Sequence, residues 1–158
     1  MLMENVHDEK IISSLTEMGK QDNRFDSLYR RVSASFEMSA CAMWIFYYLL
    51  LSDDGMTQLE MTEAMMFPKQ TVNSAVQNLV KDNLVTLEAV QGTRNSKKVL
   101  LSKKGRDYAE KTVKRLLQAE IRATQKFGEE KTQAYISLRE EYMTLLKAEF
   151  ESDFLKEE

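Results

Sequence analysis

Apolar residues Ile11, Leu15, Met18, Phe25, Leu28, Tyr29, Val32 and Phe36 keep helical spacing, interrupted by Asp22. The pattern predicts a long amphipathic helix over the N-terminal third, ending near Phe36. Ala40 to Leu51 is apolar nearly all round, as expected for a short helix at the centre of a core, and SDDG then stops it. Thr57-Gln58-Leu59-Glu60 fits a capping box, in which the threonine oxygen receives an N–H of the first turn and the glutamate reaches back to the cap N–H. The helix it starts lasts about two turns, because Phe67-Pro68 biases Phe67 away from helical dihedrals while Pro68 suits the first turn of a new helix. Met65 to Phe67 is therefore the turn.

The second helix, PKQTVNSAVQNLVKDN, places Val72, Ala75, Val76, Leu79 and Val80 on one face and turns Lys69, Gln70, Asn73, Ser74, Gln77 and Lys81 away from it. Asn83 is a plausible left-handed C-cap. Leu84 to Val90 and Lys97 to Ser102 read as two short strands joined by a polar hairpin tip at Gly92 to Ser96. Ser102 then caps a helix carrying Val113, Leu116, Leu117, Ile121 and Phe127. A final helix from about Glu129 to Phe154 bears the stripe Tyr135, Leu138, Tyr142, Leu145 and Leu146. These stripes exceed what one small core can cover.

Composition agrees with a globular chain of about one domain: of 158 residues, 43% are hydrophobic and 30% charged, with no Pro-rich or Ser/Gly-rich tract. The longest apolar run is too short to span a bilayer, and MLMENVHDEK carries acids where a secretory signal carries bases, so a cytoplasmic protein without membrane attachment is expected. The net charge of −3 hides a strong asymmetry. Residues 1–67 carry 5 basic and 11 acidic side chains, residues 68–106 carry 8 and 2, and residues 107–158 carry 9 and 12. Within the basic island, QGTRNSKKVLLSKKG has five lysines and arginines and no acid. Such an island attracts a polyanion locally while the acidic frame discourages indiscriminate adhesion.

Catalytic chemistry finds little support. With one histidine, His7, and one cysteine, Cys41, neither a clustered metal site nor a Cys-His pair is expected, and no nucleotide-binding loop is visible. No enzyme activity, metal or cofactor is expected. Cys41 reads as a packing residue, with no basic neighbour in sequence to stabilise a thiolate. Trp44, Phe46, Tyr47 and Tyr48 read as core packing.

Two short helices joined by a tight turn and followed by a basic-tipped hairpin make a winged helix-turn-helix. In the order of its elements the chain resembles the MarR-type bacterial regulators. The specific match runs from Met56 to Gly105: MTQLEMTEAM, PKQTVNSAVQNLVKDNLV and GTRNSKKVLLSKKG. The resemblance implies a mainly α fold with a small β-hairpin wing, a winged helix-turn-helix within an intertwined helical dimer. It implies one continuous domain in which 1–36 and 106–158 are dimerisation helices and 37–105 is the DNA-binding lobe. It further implies a homodimeric repressor that binds double-stranded DNA at a pseudo-palindromic operator and is released by a small-molecule effector or a redox signal, and it gives Trp44, Phe46, Tyr47 and Tyr48, beside their reading as core, a second one as the border of an aromatic effector cavity. Carried over by position, Lys69, Gln70, Thr71, Asn73, Ser74 and Gln77 face bases and phosphates, Arg94 is the wing-tip arginine, and Lys97 and Lys98 lie beside it. Asn and Gln can pair bidentately with adenine, and the wing lysines serve as point charges for phosphate. The competing expectation is a winged-helix module that binds protein, which would show no salt-dependent affinity for DNA.

Overall fold

The computed structural model describes residues 6–90, 92 and 96–154, without the side chains of Val6 and His7. The expectations placed on Arg94 and on the His7 imidazole lie outside the described residues. The chain divides into two compact units, Met1–Leu116 and Leu117–Glu158.

In the first unit, α1 (Val6–Ser35) is a continuous helix. Ile11, Leu15, Met18, Asp22, Phe25, Tyr29 and Val32 alternate spacings of four and three along it, so Asp22 takes a polar place in a coiled-coil-like seam rather than breaking the helix. The lower half of the seam stays exposed at Ile11, Leu15, Met18 and Phe25, whereas Tyr29, Val32 and Phe36 pack on the core. Helix α2 (Ala40–Leu51) is capped by Ser39, whose side chain accepts from the Ala42 N–H. It buries Cys41, Met43, Ile45, Phe46 and Leu49, and elements on several sides press against it, which is why its sequence shows no polar face.

Strand β1 (Met56–Thr57) leads into α3 (Gln58–Met65), and α4 (Lys69–Lys81) follows across a three-residue turn. Strands β2 (Val85–Ala89) and β3 (Lys97–Leu101) form the wing. The sheet has three antiparallel strands in the order β1-β3-β2, with Met56 opposite Val99 on one side and Leu87 opposite Val99 on the other. The two-residue β1 was not expected: two residues carry no periodicity to read. Met61, Val72, Val76, Leu79, Val85 and Val99 close the core beneath α2.

Thr57 ends β1 and caps α3. Its hydroxyl accepts from the Glu60 N–H at 3.2 Å, and a Glu60 carboxylate oxygen accepts from the Thr57 N–H at 2.7 Å and from the hydroxyl at 2.9 Å, completing the capping box. Helix α4 closes with a Schellman motif around Asn83, which adopts φ 57°. The Asn83 N–H donates to the Val80 carbonyl and the Leu84 N–H to the Leu79 carbonyl, each at 2.9 Å. Pro68 departs slightly from expectation. It is the N-cap of α4, at φ −55° and ψ 136°, not its first helical residue, and its carbonyl accepts from the Thr71 and Val72 N–H groups.

The helix expected to run unbroken from Ser102 to Phe127 is two helices, α5 (Lys103–Lys111) and α6 (Val113–Phe127). Thr112 separates them at φ −121°, ψ −87°, with its hydroxyl donating to the Tyr108 carbonyl at 2.7 Å. That side-chain bond competes with the backbone ladder, a local choice that a long apolar stripe does not reveal. Ala109, Val113 and Leu116 complete the core of the first unit.

The second unit holds the remainder of α6 and helix α7 (Glu129–Asp153), which starts after Gly128 at φ 93°. Helix α7 buries no residue. Tyr135, Ile136, Leu138, Met143, Leu145 and Phe150 are all exposed along it. Among the described residues no single helix is long and apolar enough to cross a membrane; only the bent pair of α1 and α2 has the length and composition, and the apolar residues of α2 are spent on the core.

Candidate nucleic-acid interface

Helix α4 is held by its apolar side. Val72, Val76 and Leu79 are buried, while Lys69, Gln70, Thr71, Asn73, Ser74 and Gln77 are all exposed. At roughly 100° per residue, Gln70, Asn73, Ser74 and Gln77 share a sector about 100° wide, with Lys69 on one border and Thr71 on the other. The amides and hydroxyls are thus gathered into one strip of donors and acceptors, directed away from the core. Asn78, beyond Ser74 and also exposed, continues this strip and was absent from the sequence-based set, where its even-handed position between the two faces hid it. Met66, in the turn before α4, is likewise exposed and likewise outside that set.

The wing lysines part company. Because successive side chains of a strand point to opposite faces, Lys97 lies on the side of Val99 and Lys98 on the side of Leu100. Lys97, paired with Ala89, is exposed at the turn end of the hairpin. Lys98 is half-buried, opposite Glu88 on one neighbouring strand and Thr57 on the other. Its positive charge also reaches Glu60, whose carboxyl is held below the usual carboxylate range first by the Thr57 N–H, then by the Thr57 hydroxyl, with Lys98 adding a smaller share. Part of the charge of Lys98 is therefore answered within the protein.

This cap has a pH signature. A carboxyl depressed in the folded state contributes stability above its unfolded pKa, near 4.3, and that contribution is lost as pH falls through the folded value. Glu60→Ala is expected to lower stability by about 0.5 to 1 kcal/mol at pH 7, within the range for exposed caps. The difference from the parent protein should shrink steadily below about pH 4.3. Denaturant midpoints across pH 3 to 7 check this, and a constant difference would show that the Glu60 charge has no part in the cap.

Cys41 is 4% exposed, and burial pushes its thiol up, so little thiolate is present at neutral pH. The aromatic residues of α2 divide. Phe46 is core, packed at 5.5 Å between ring centres on Tyr108, whereas half-buried Trp44 stacks within 5.1 Å of both Tyr29 and Tyr47 and extends through Tyr48. Elsewhere Leu84, Lys103, Lys104, Asp107, Tyr108 and Lys111 line an open depression along α5. Lys104 there is already engaged, donating to the Asp82 carbonyl at 2.8 Å.

No protein-family model and no curated protein matches the sequence. Solved structures do. A MarR family regulator from Neisseria meningitidis superposes with a TM-score of 0.76 at 16% identity, covering 89% of this chain and 98% of that one. MepR of S. aureus in complex with DNA gives 0.62 at 21% identity, covering 85% and 96%. A MarR transcriptional regulator from Methanosarcina mazei Go1 gives 0.58 at 21%, covering 86% and 99%. Mainly helical, with a three-stranded antiparallel wing sheet and the helix pair α3–α4 set against it, this chain has the winged helix-turn-helix fold of the MarR family of transcriptional regulators.

Proposed function

We propose that this protein is a cytoplasmic, homodimeric transcriptional regulator that binds a pseudo-palindromic operator in double-stranded DNA and represses from it. The observation that carries this reading is the outer strip of α4, six exposed polar residues opposite the buried Val72, Val76 and Leu79, in the second helix of a helix-turn-helix. A recognition helix lies in the major groove, where amides and hydroxyls are the groups that read base edges. MepR, which shares the fold, has been seen on DNA. The wing supplies phosphate contacts from Lys97, Lys98 and Arg94, the last outside the described residues, with Lys97 the freest of the described pair. The exposed seams of α1 and α7 are the surfaces a second copy covers, as patches of this kind are unusual on a monomer. For the release signal a small molecule is favoured over thiol oxidation, since Cys41 is shielded and its thiol pKa raised. The half-buried rings of Trp44, Tyr47 and Tyr48 are the surface best suited to a flat apolar effector.

Operator selection from a randomised duplex pool, followed by titration at several salt concentrations, tests the reading. Gln70→Ala or Asn73→Ala should cost about 1 to 3 kcal/mol on the selected duplex and little on random DNA. Lys97→Ala should weaken both alike and flatten the log–log salt slope by up to roughly 2 for a dimer, at about 0.9 per phosphate contact. Equal losses of the α4 variants on both duplexes would reduce these residues to phosphate contacts. Absence of any salt-dependent DNA affinity would favour the protein-binding module instead.

A further inference from the structure

Met66 is 86% exposed, more than any other large apolar side chain among the described residues. It also sits where methionine is poorly suited. Its backbone is left-handed, at φ 54° and ψ 27°, and its N–H donates to the Thr62 carbonyl at 2.9 Å to close α3. Glycine or asparagine takes this position at ordinary helix ends, because a Cβ crowds the left-handed backbone. Asn83 does so at the end of α4, and Gly55, Gly92 and Gly128 take three more positive-φ turns; besides Met66, only Glu37 after α1, at φ 56°, departs from this among the described residues. A methionine here gains nothing in conformation, and at this exposure it gains little from packing.

Its place along the chain is more telling. Met66 lies two residues before Pro68, the N-cap of α4, and so at the entrance to Lys69 and Gln70. The N-terminal residues of a recognition helix are those that come to the base edges. The major groove offers one purely apolar group, the 5-methyl of thymine. An unbranched, polarizable thioether is well fitted to cover such a group on an uneven surface. We infer that Met66 is a specificity-determining residue, its side chain packing on a thymine methyl at the edge of the base steps faced by the start of α4. The inference rests on the DNA-binding reading above and adds to it a preference for thymine that the amide strip does not supply.

The test uses the tightest duplex recovered from a randomised pool, with each thymine replaced in turn by uracil, which removes the methyl and leaves base pairing unchanged. The full-length protein is expected to lose about fourfold in affinity per half-site at one thymine position, the worth of roughly one buried methyl-sized group. Met66→Gly should bind the parent duplex as weakly as the unmodified protein binds the uracil duplex, and should be indifferent to the replacement there. Met66→Leu should keep the discrimination. The unfolding midpoint of Met66→Gly should be unchanged or raised, since glycine relieves the left-handed turn. The same uracil penalty in Met66→Gly as in the parent, no thymine position with a penalty, or a lowered unfolding midpoint would each overturn the inference. Failure of the unmodified protein to enrich any duplex would instead bring down the DNA-binding reading, and is seen before any variant is made.

Discussion

Removal of residues 129–158 is expected to leave a monomer whose operator affinity falls by about 10² to 10⁴-fold, the usual worth of joining two binding modules. Helix α7 contributes no buried residue, so its loss takes nothing from the core that runs from Cys41 to Leu116. What it does carry is a row of exposed Tyr135, Leu138 and Leu145, joined by half-buried Tyr142 at spacings of three, four and three, the period of a helix seam that faces another helix. Such a row in water is a standing cost that a second copy would remove. Operator binding by a dimer gains a second half-site without a second loss of translational freedom, and a monomer forfeits that gain. Sedimentation equilibrium at micromolar protein, paired with titration of the selected duplex, checks the result. A truncated protein that remains a dimer would move the interface off α7, and a monomeric full-length protein would refute the dimeric architecture altogether.

Gly105→Ala should be the most damaging single methyl in the chain. A Cβ built on Gly105 falls 1.8 Å from the Leu84 carbonyl oxygen and 2.8 Å from its carbon, both backbone atoms. Neither can swing aside, because the Leu84 carbonyl accepts from the Ser102 N–H at 3.1 Å and the Ser102 hydroxyl both donates to the Asn83 carbonyl and accepts from the Gly105 N–H. The end of α4, the start of β2 and the start of α5 are tied at this point, so making room requires pulling them apart. The cost should reach or exceed the upper end of the overpacking range, about 3 kcal/mol. For a chain of this size that lowers the unfolding midpoint by roughly 6 to 12 °C. Gly19→Ala is the matched control. Gly19 lies within α1 with nothing inside 4 Å of its added Cβ. The same methyl there should stabilise by up to about 1 kcal/mol through helix propensity alone. Thermal unfolding of the two variants side by side decides the matter, and a Gly105→Ala protein as stable as its parent would mean that the α4–β2–α5 junction is slack.

Most of the winged helix-turn-helix lobe was legible because its signals are local. The capping box at Thr57 and Glu60, the Phe67-Pro68 break, the period of Val72, Val76 and Leu79, and Asn83 as a left-handed cap all act within a few residues of chain. Each was found where its chemistry placed it. The same holds for the polar strip of α4, since residues excluded from an apolar face at helical period have only solvent to face.

The sequence alone thus specifies most features whose cause lies within about one helical turn or one strand: the elements other than β1, the caps at Thr57, Asn83 and Ser102, the buried side of α4, and the apolar seams of α1 and α7. The break at Thr112, equally local, is hidden by the unbroken apolar stripe around it. Tertiary structure decided the rest, because those features depend on atoms distant along the chain. Strand β1 exists only because β3 offers Val99 and Lys98 as partners more than 40 residues later. The need for glycine at 105 arises from the carbonyl of Leu84, which the fold brings to it from across the hairpin. Lys97 and Lys98, adjacent and identical in sequence, differ because pairing in the sheet sets Lys98 beside Glu88 and the capped Glu60 and leaves Lys97 to solvent. Local chemistry specifies which groups a segment can offer, while long-range packing decides which of those groups remain free to meet a partner.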